Sequence, residues 1–280
     1  MEIAEISMSS FEDYPMPETL YKYRDWGNKY NRRVITHREV FFAAPTSFED
    51  PLDCKNPIRY DLLSYEDILN KYFQDSMPEQ PTYTTEELNS RIDFTIDCAN
   101  NSNITNPVHL AKMERKHFNE FDSFSGVLCL TEYPAEITMW KKYSINHTGF
   151  CVGFEPKAML KDIGTGGGIV QYYKELPIIY PAPKHPHLLQ SYLQIYSKLE
   201  KWTFEKEYRT YIFRNYALSI DDRTFVLPPT AFKEIILGAS MSKEDELSLI
   251  ASIPPDLQHV KIKKAFLIND EIIVQDYDSV

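Results

Sequence analysis

Trp202-Thr203-Phe204-Glu205-Lys206-Glu207-Tyr208-Arg209-Thr210-Tyr211-Ile212-Phe213 is the stretch on which the reading of the fold turns. It is rich in aromatic and β-branched residues and holds no glycine or proline, which predicts a strand over residues 204–214. Two more strands, 224–227 and 234–238, follow with no helix between them. Upstream, residues 20–24, 40–44, 126–131, 148–154 and 169–173 read as strands, and 259–268 with 271–275 as a hairpin about Asn269-Asp270. Helical patterns occupy 134–143, 187–201 and 244–252. Strands and helices do not alternate strictly, which argues against a doubly wound parallel sheet. The expected class is α+β: a bent or split, mixed or antiparallel sheet with surrounding helices.

Between the early and later strands, residues 62–121 read as a helical insert. Tyr65, Ile68, Leu69 and Tyr72 recur at helical spacing, as do Leu88, Ile92 and Ile96, and Asn106 is placed to cap a third helix. Residues 1–19, with Pro15 and Pro17, read as an irregular N-terminal arm on a single domain spanning 1–280. Asp50 precedes Pro51 and is expected to cap a helix there.

Period two splits the opening stretch into two faces, with Glu205, Glu207, Arg209 and Tyr211 on one of them. Neighbours on a face lie roughly 7 Å apart, so two carboxylates and a guanidinium line up behind the Trp202 indole. A carboxylate in such a row can act as a base or stabilise a cationic transition state while the guanidinium holds an anion. The plainer alternative is a solvated strand face with a cross-strand ion pair.

The chain carries a net charge of −11, with 30 Lys and Arg. That balance argues against a broad surface for duplex nucleic acid and leaves room for a local basic groove. Four separated cysteines without a C-x-x-C pair suit a reducing compartment. No signal peptide or stretch of about 18 apolar residues is apparent, so a cytoplasmic protein without a membrane partner is expected.

Other candidates have competing readings. Trp140 and Tyr143, three apart on a helix, form either a stacking wall or a packed face. His147 is either an acid–base group or a turn residue held by the backbone. Asp50 and Asp53 suit either a hard cation or helix caps, and caps are preferred, so no metal site is expected. The run from Gly164 to Gly168 lacks a following Lys-Ser/Thr and reads as a loop or lid rather than a phosphate cradle.

Three ordered groups of residues resemble a bacterial family known as domain of unknown function 2971. The first is Leu20-Tyr21-Lys22-Tyr23-Arg24 with Pro45, Phe48, Asp50, Pro51 and Asp53. The second is Leu128-Cys129-Leu130-Thr131-Glu132, then Met139-Trp140 and Tyr143, then His147, Gly149, Cys151, Gly153 and Phe154. The third is Trp202, Glu205, Glu207 and Arg209, followed by Ile235-Ile236 and Gly238. Glu49 stands where that pattern has Asn. A more distant resemblance is to the ADP-ribosyltransferase superfamily. It implies NAD as co-substrate, no tightly bound cofactor, and a macromolecular acceptor. It also implies a site in which Arg24 or Tyr23 takes the first position, Tyr143 or Thr131 the second and Glu207, with Glu205 beside it, the catalytic third, while Tyr143 and Trp140 stack on nicotinamide or adenine. His147, Trp202 and Arg209 are the further substrate-contact candidates. The alternative is a non-catalytic ligand-sensing or interaction module of a bacterial stress or anti-phage system.

Overall fold

A computed structural model describes residues 16–76 and 83–277; residues 1–15 of the expected arm lie outside the described residues. In chain order the elements begin with β1 (Leu20–Arg24), α1 (Lys29–Thr36) and β2 (Glu39–Phe41), followed by α2 (Tyr65–Ser76), α3 (Thr85–Asn100) and α4 (Pro107–Phe124). Next come β3 (Ser125–Thr131), α5 (Ile137–Tyr143), β4 (Phe150–Phe154), α6 (Pro156–Ile163), β5 (Gly167–Ile169), β6 (Gln171–Tyr173), α7 (His187–Tyr196) and β7 (Ser197–Leu199). The chain then runs through β8 (Glu207–Phe213), β9 (Thr224–Val226), β10 (Phe232–Leu237), α8 (Lys243–Ala251), β11 (Lys261–Ile268) and β12 (Glu271–Asp276).

Eight strands form one sheet in the order β12-β11-β10-β4-β1-β3-β8-β5. Within this sheet only β10 and β11 pair in parallel, so the α+β expectation holds. Alternation sorts the central strands onto two cores. Leu20, Phe150, Val152, Phe154, Phe232, Ile235 and Leu237 join a large cluster with α1, α6 and α8. Tyr21, Tyr23, Cys151 and Ile236 face a smaller one covered by Met139 and Trp140 of α5.

The helical insert is present as α2, α3 and α4. Asn106 accepts from the backbone N–H groups of Val108 and His109 ahead of Pro107 at the first helical position, as a cap should. Neither α2 nor α4 buries a residue, and α3 buries only Thr95 and Ala99, so the insert lies outside the main core.

The sheet is split beside β1. On one edge β1 pairs with β4 at five successive positions. On the other it meets β3 only where Tyr21 faces Thr131, although β3 pairs with β8 at seven positions. In an antiparallel strand alternate residues aim their backbone groups at one neighbour, so Val127, Cys129 and Thr131 share the β1-facing edge. Thr131 is opposite Tyr21, and Val127 exchanges hydrogen bonds of 2.9 and 3.0 Å with Ala43. Between them the Cys129 carbonyl accepts from the Lys22 ammonium at 2.5 Å. A side chain thus replaces the missing strand contact, and a cleft opens in the gap.

Several expected boundaries are corrected. The stretch 202–206 is not strand: residues Glu200–Glu205 form a 3₁₀ turn and Lys206 is left-handed at φ 41°, so β8 starts at Glu207. Its aromatic and β-branched composition suits a strand, but the Lys206 to Thr203 backbone hydrogen bond of 3.2 Å closes a turn. The helix expected over 187–201 stops at Tyr196 because Ser197–Leu199 pairs with β6. Asp50 caps no helix; its carboxylate accepts the Leu52 N–H at 3.3 Å in a tight turn. The glycine run is not a lid, since Gly167 and Gly168 pair with Thr210 and Arg209 as an edge strand.

Candidate functional site

The cleft in the split sheet has a volume of about 410 Å³. Its lining includes Lys22, Tyr23 and Arg24 of β1, Cys129 of β3, Tyr143 of α5, Lys198 of β7, Trp202, Glu205 and Glu207, and Phe48, Asp50 and Asp53 from the loop after β2. Of the sequence-based candidates, Glu207, Glu205, Tyr143, Tyr23, Arg24 and Trp202 meet there.

The other four lie elsewhere. Arg209 is wholly buried behind the cleft wall. Thr131 is buried, with its hydroxyl donating to the Lys206 carbonyl at 3.2 Å. Trp140 is buried edge-on against Tyr23 with ring centroids 5.0 Å apart, and its indole N–H donates to the Pro134 carbonyl. It is core rather than a stacking wall, because α5 turns it inward while Tyr143 reaches the cleft. His147 sits in the turn before β4, outside the cleft lining.

One wall is a buried ion cluster. Arg209 donates to both Asp53 oxygens at 2.7 Å and to Glu207 at 2.7 Å through Nε, and also to the Ile195 carbonyl at 2.8 Å. The Lys198 ammonium contacts Glu205, Asp53 at 3.1 Å and Glu207 at 3.7 Å. The Tyr143 hydroxyl is hydrogen-bonded to the other Glu205 oxygen. Although Glu205 lies in the 3₁₀ turn and not on the strand, the left-handed Lys206 still brings both glutamates to Lys198. Asp53, weighed as a cation ligand or cap, is instead the partner of Arg209.

Burial and the Glu207 charge raise Glu205 above the ordinary carboxyl range, against the pull of Lys198. Burial would also raise Asp53, but Arg209 and Lys198 overcome it and hold that carboxylate low. For Lys198 burial works downward, and Glu207, Asp53 and Glu205 outweigh it.

The facing wall is cationic. Lys22 and Arg24 stand two apart on β1, and neither makes an ion pair among the described residues; Arg24 has only a 3.5 Å contact to the Tyr23 carbonyl. Burial, aided by Arg24, pushes Lys22 down to about 8, and burial brings Arg24 to about 10. Trp202 is packed among cations, with the Lys142 and Lys198 ammoniums 4.4 and 4.9 Å from its ring centroid. Sequence reasoning missed Lys22 and Lys198. The two-residue spacing of Lys22 and Arg24 was a usable signal, whereas Lys198 was hidden inside an apparent helix.

His147 has a different consequence. Three successive left-handed residues, Ile145, Asn146 and His147, with φ of 49°, 50° and 68°, carry the chain into β4. Both His147 ring nitrogens are buried without a hydrogen-bond partner. Burial, with Lys141 nearby, lowers its proton affinity from the usual 6.5. The unfolded chain therefore binds a proton that the folded one resists, and stability falls as pH drops below that value. Urea denaturation of wild type and His147→Gln between roughly pH 7 and pH 5 should show a steeper loss in wild type. Parallel curves would mean that His147 binds its proton equally in the folded and unfolded states.

Among the described residues no helix is long and apolar enough to cross a membrane. No curated protein and no solved structure matches the chain. The model of a family described as a protein of unknown function (DUF2971) matches residues 139–210, about a quarter of the chain, which carry Tyr143, Lys198, Trp202, Glu205, Glu207 and Arg209.

Proposed function

We propose that the cleft binds NAD, breaks its nicotinamide–ribose bond and passes ADP-ribose to a macromolecular acceptor, with Glu207 as the central carboxylate. The supporting observation is the bipolar cleft: Lys22 and Arg24, which make no ion pair among the described residues, on one wall, and a carboxylate-rich cluster on the other. NAD has the same polarity, with an anionic diphosphate and a cationic pyridinium. The diphosphate suits Lys22 and Arg24, where charge-assisted hydrogen bonds are strongest. The rings of Tyr143 and Trp202 offer apolar faces for the nicotinamide. As the bond breaks, its electron pair neutralises the pyridinium and positive charge develops on the ribose. A carboxylate fixed in advance stabilises that charge without reorganising. Arg209 supplies the fixing, since it holds Glu207 from behind. The acceptor then bonds to the ribose carbon and gives up its proton.

Incubation with NAD labelled in the nicotinamide should release label, and Glu207→Gln should lower the rate on the order of 10²–10³-fold, as for loss of one preorganised electrostatic contact. A wild-type protein that binds NAD without releasing nicotinamide would sink the enzymatic reading. A second reading is favoured by one feature: Asp53, Glu205 and Glu207 are all already engaged by cations. A closed network suits a sensing or interaction module, such as one in a bacterial stress or anti-phage system, and binding without turnover would identify it.

A further inference from the structure

The carboxylate wall has an unbalanced charge. Asp53, Glu205 and Glu207 are three potential anions, whereas Lys198 and Arg209 are the only cations in ion contact with them among the described residues. All five side chains are at most 8 % exposed. An uncompensated buried charge is costly, and a carboxyl group escapes that cost by taking up a proton. Asp53 is gripped by Arg209 through both oxygens and by Lys198. Glu207 is gripped by Arg209 and approached by Lys198. Glu205 does not touch Arg209; its partners are Lys198 and the neutral Tyr143 hydroxyl.

We propose that Glu205 carries one proton in the free protein and releases it when a cationic ligand group binds, so that Glu205 and Lys198 select a positively charged nicotinamide over its neutral reduced form. This rests on the reading of the cleft as an NAD site. In the free state the acid hydrogen of Glu205 points to the Tyr143 oxygen, and Lys198 donates to the other carboxyl oxygen. When a pyridinium arrives, the O–H bond of Glu205 breaks, the proton passes to solvent, and the ligand supplies the missing positive charge. Tyr143 then donates to the carboxylate. A neutral dihydropyridine offers no such exchange.

No other titratable or charged group around Glu205 makes an ion contact with the three carboxyls among the described residues, although Lys22 feels the Glu205 and Glu207 charges across the cleft. Lys22 is tied to the Cys129 carbonyl, and Arg24 makes no ion pair. Tyr172 of β6 accepts the Glu207 N–H at 2.9 Å. At the rim Glu49 pairs with Lys142 at 2.6 Å, and Asp50 lies 3.9 Å from Lys201. The raised proton affinity of Glu205 agrees with the geometry.

Two measurements test the proposal. Infrared spectra of the ligand-free protein at pH 7 should show a buried protonated carboxyl band that Glu205→Gln abolishes. Because glutamine is isosteric with the protonated acid, that variant should melt within roughly 5 °C of wild type. Absence of such a band in wild type, or its persistence in Glu205→Gln, overturns the inference whatever the ligand does. The second is titration calorimetry with the carbocyclic analogue of NAD, which keeps the pyridinium but resists cleavage, in buffers of different ionisation enthalpy. Wild type should release up to about one proton per ligand bound, and Glu205→Gln none. The reduced analogue should bind roughly tenfold or more weakly, without proton release. Binding of the oxidised analogue with no proton release overturns the inference and leaves the NAD site standing. Failure of the oxidised analogue to bind overturns both.

Discussion

Arg209→Met is expected to cost about 3–5 kcal/mol of folding stability, the usual penalty for removing one partner of a buried ion pair. Methionine fills much of the same volume with a flexible chain, so the loss is chiefly electrostatic. Arg209 has no exposed surface and, among the described residues, is the only one that grips Asp53 and Glu207 together through a planar fork. Without it Lys198 is left to balance three carboxylates. Asp53, held low in the folded protein, also contributes stability at neutral pH that is lost as pH falls through and below its ordinary 3.8. Removing Arg209 removes most of that contribution. Arg209→Lys should recover only part, because one ammonium cannot span both partners. Urea midpoints at pH 7 decide it: a loss below roughly 1 kcal/mol would place the cluster with solvent-screened ion pairs.

Gly238→Ala is expected to cost about 3 kcal/mol, at the upper end for forcing extra volume into a packed site. A methyl group there would lie 2.5 Å from the Gly149 carbonyl oxygen and closer still to that of His147. These two oxygens accept backbone hydrogen bonds of 2.9 Å from Gly238 and Ser240, so relieving the clash breaks the contacts that hold the turn. Neither neighbour can yield, since both are backbone. A Cβ on Gly149 would in turn run into the Arg24 carbonyl. Gly149→Ala should therefore displace the end of β1 and weaken anion binding as well as stability. Thermal melts of both variants check the first effect; an alanine at 238 that melts with wild type would refute it.

Much of the fold was legible because its signals were local. The aromatic run of residues 20–24, the apolar run of residues 126–131, the Asn106 cap and the Asn269-Asp270 hairpin each depend on near neighbours, and each appears where expected. The candidate site was legible in composition but not in connection. Glu205 and Glu207 were read as adjacent on a strand face; they are adjacent, but through a turn closed by Lys206 in a left-handed conformation to which no residue type in the stretch points. Lys198 continues the helical pattern of residues 187–196, and only its pairing with β6 and its three carboxylates pull it out. Asp53 offers two local explanations in sequence, whereas its actual partner is 156 residues away. Trp140 and Tyr143 share a helix, but three residues of rotation send one to the core and the other to the cleft.

The meeting of Tyr21 with Thr131 is the one rung that joins two otherwise complete ladders. On one side, β12, β11, β10, β4 and β1 are knit together; on the other, β3, β8 and β5. The charged groups of the cleft divide between the halves: Lys22 and Arg24 ride on the first, and Glu207 with its partner Arg209 on the second. Across the seam the Lys22 ammonium bridges to the Cys129 carbonyl, and the main core packs Leu20 and Phe150 of one half with Leu128 and Ile212 of the other. The mouth of the cleft thus opens where the backbone ladder is thinnest, while each wall stays paired along its other edge.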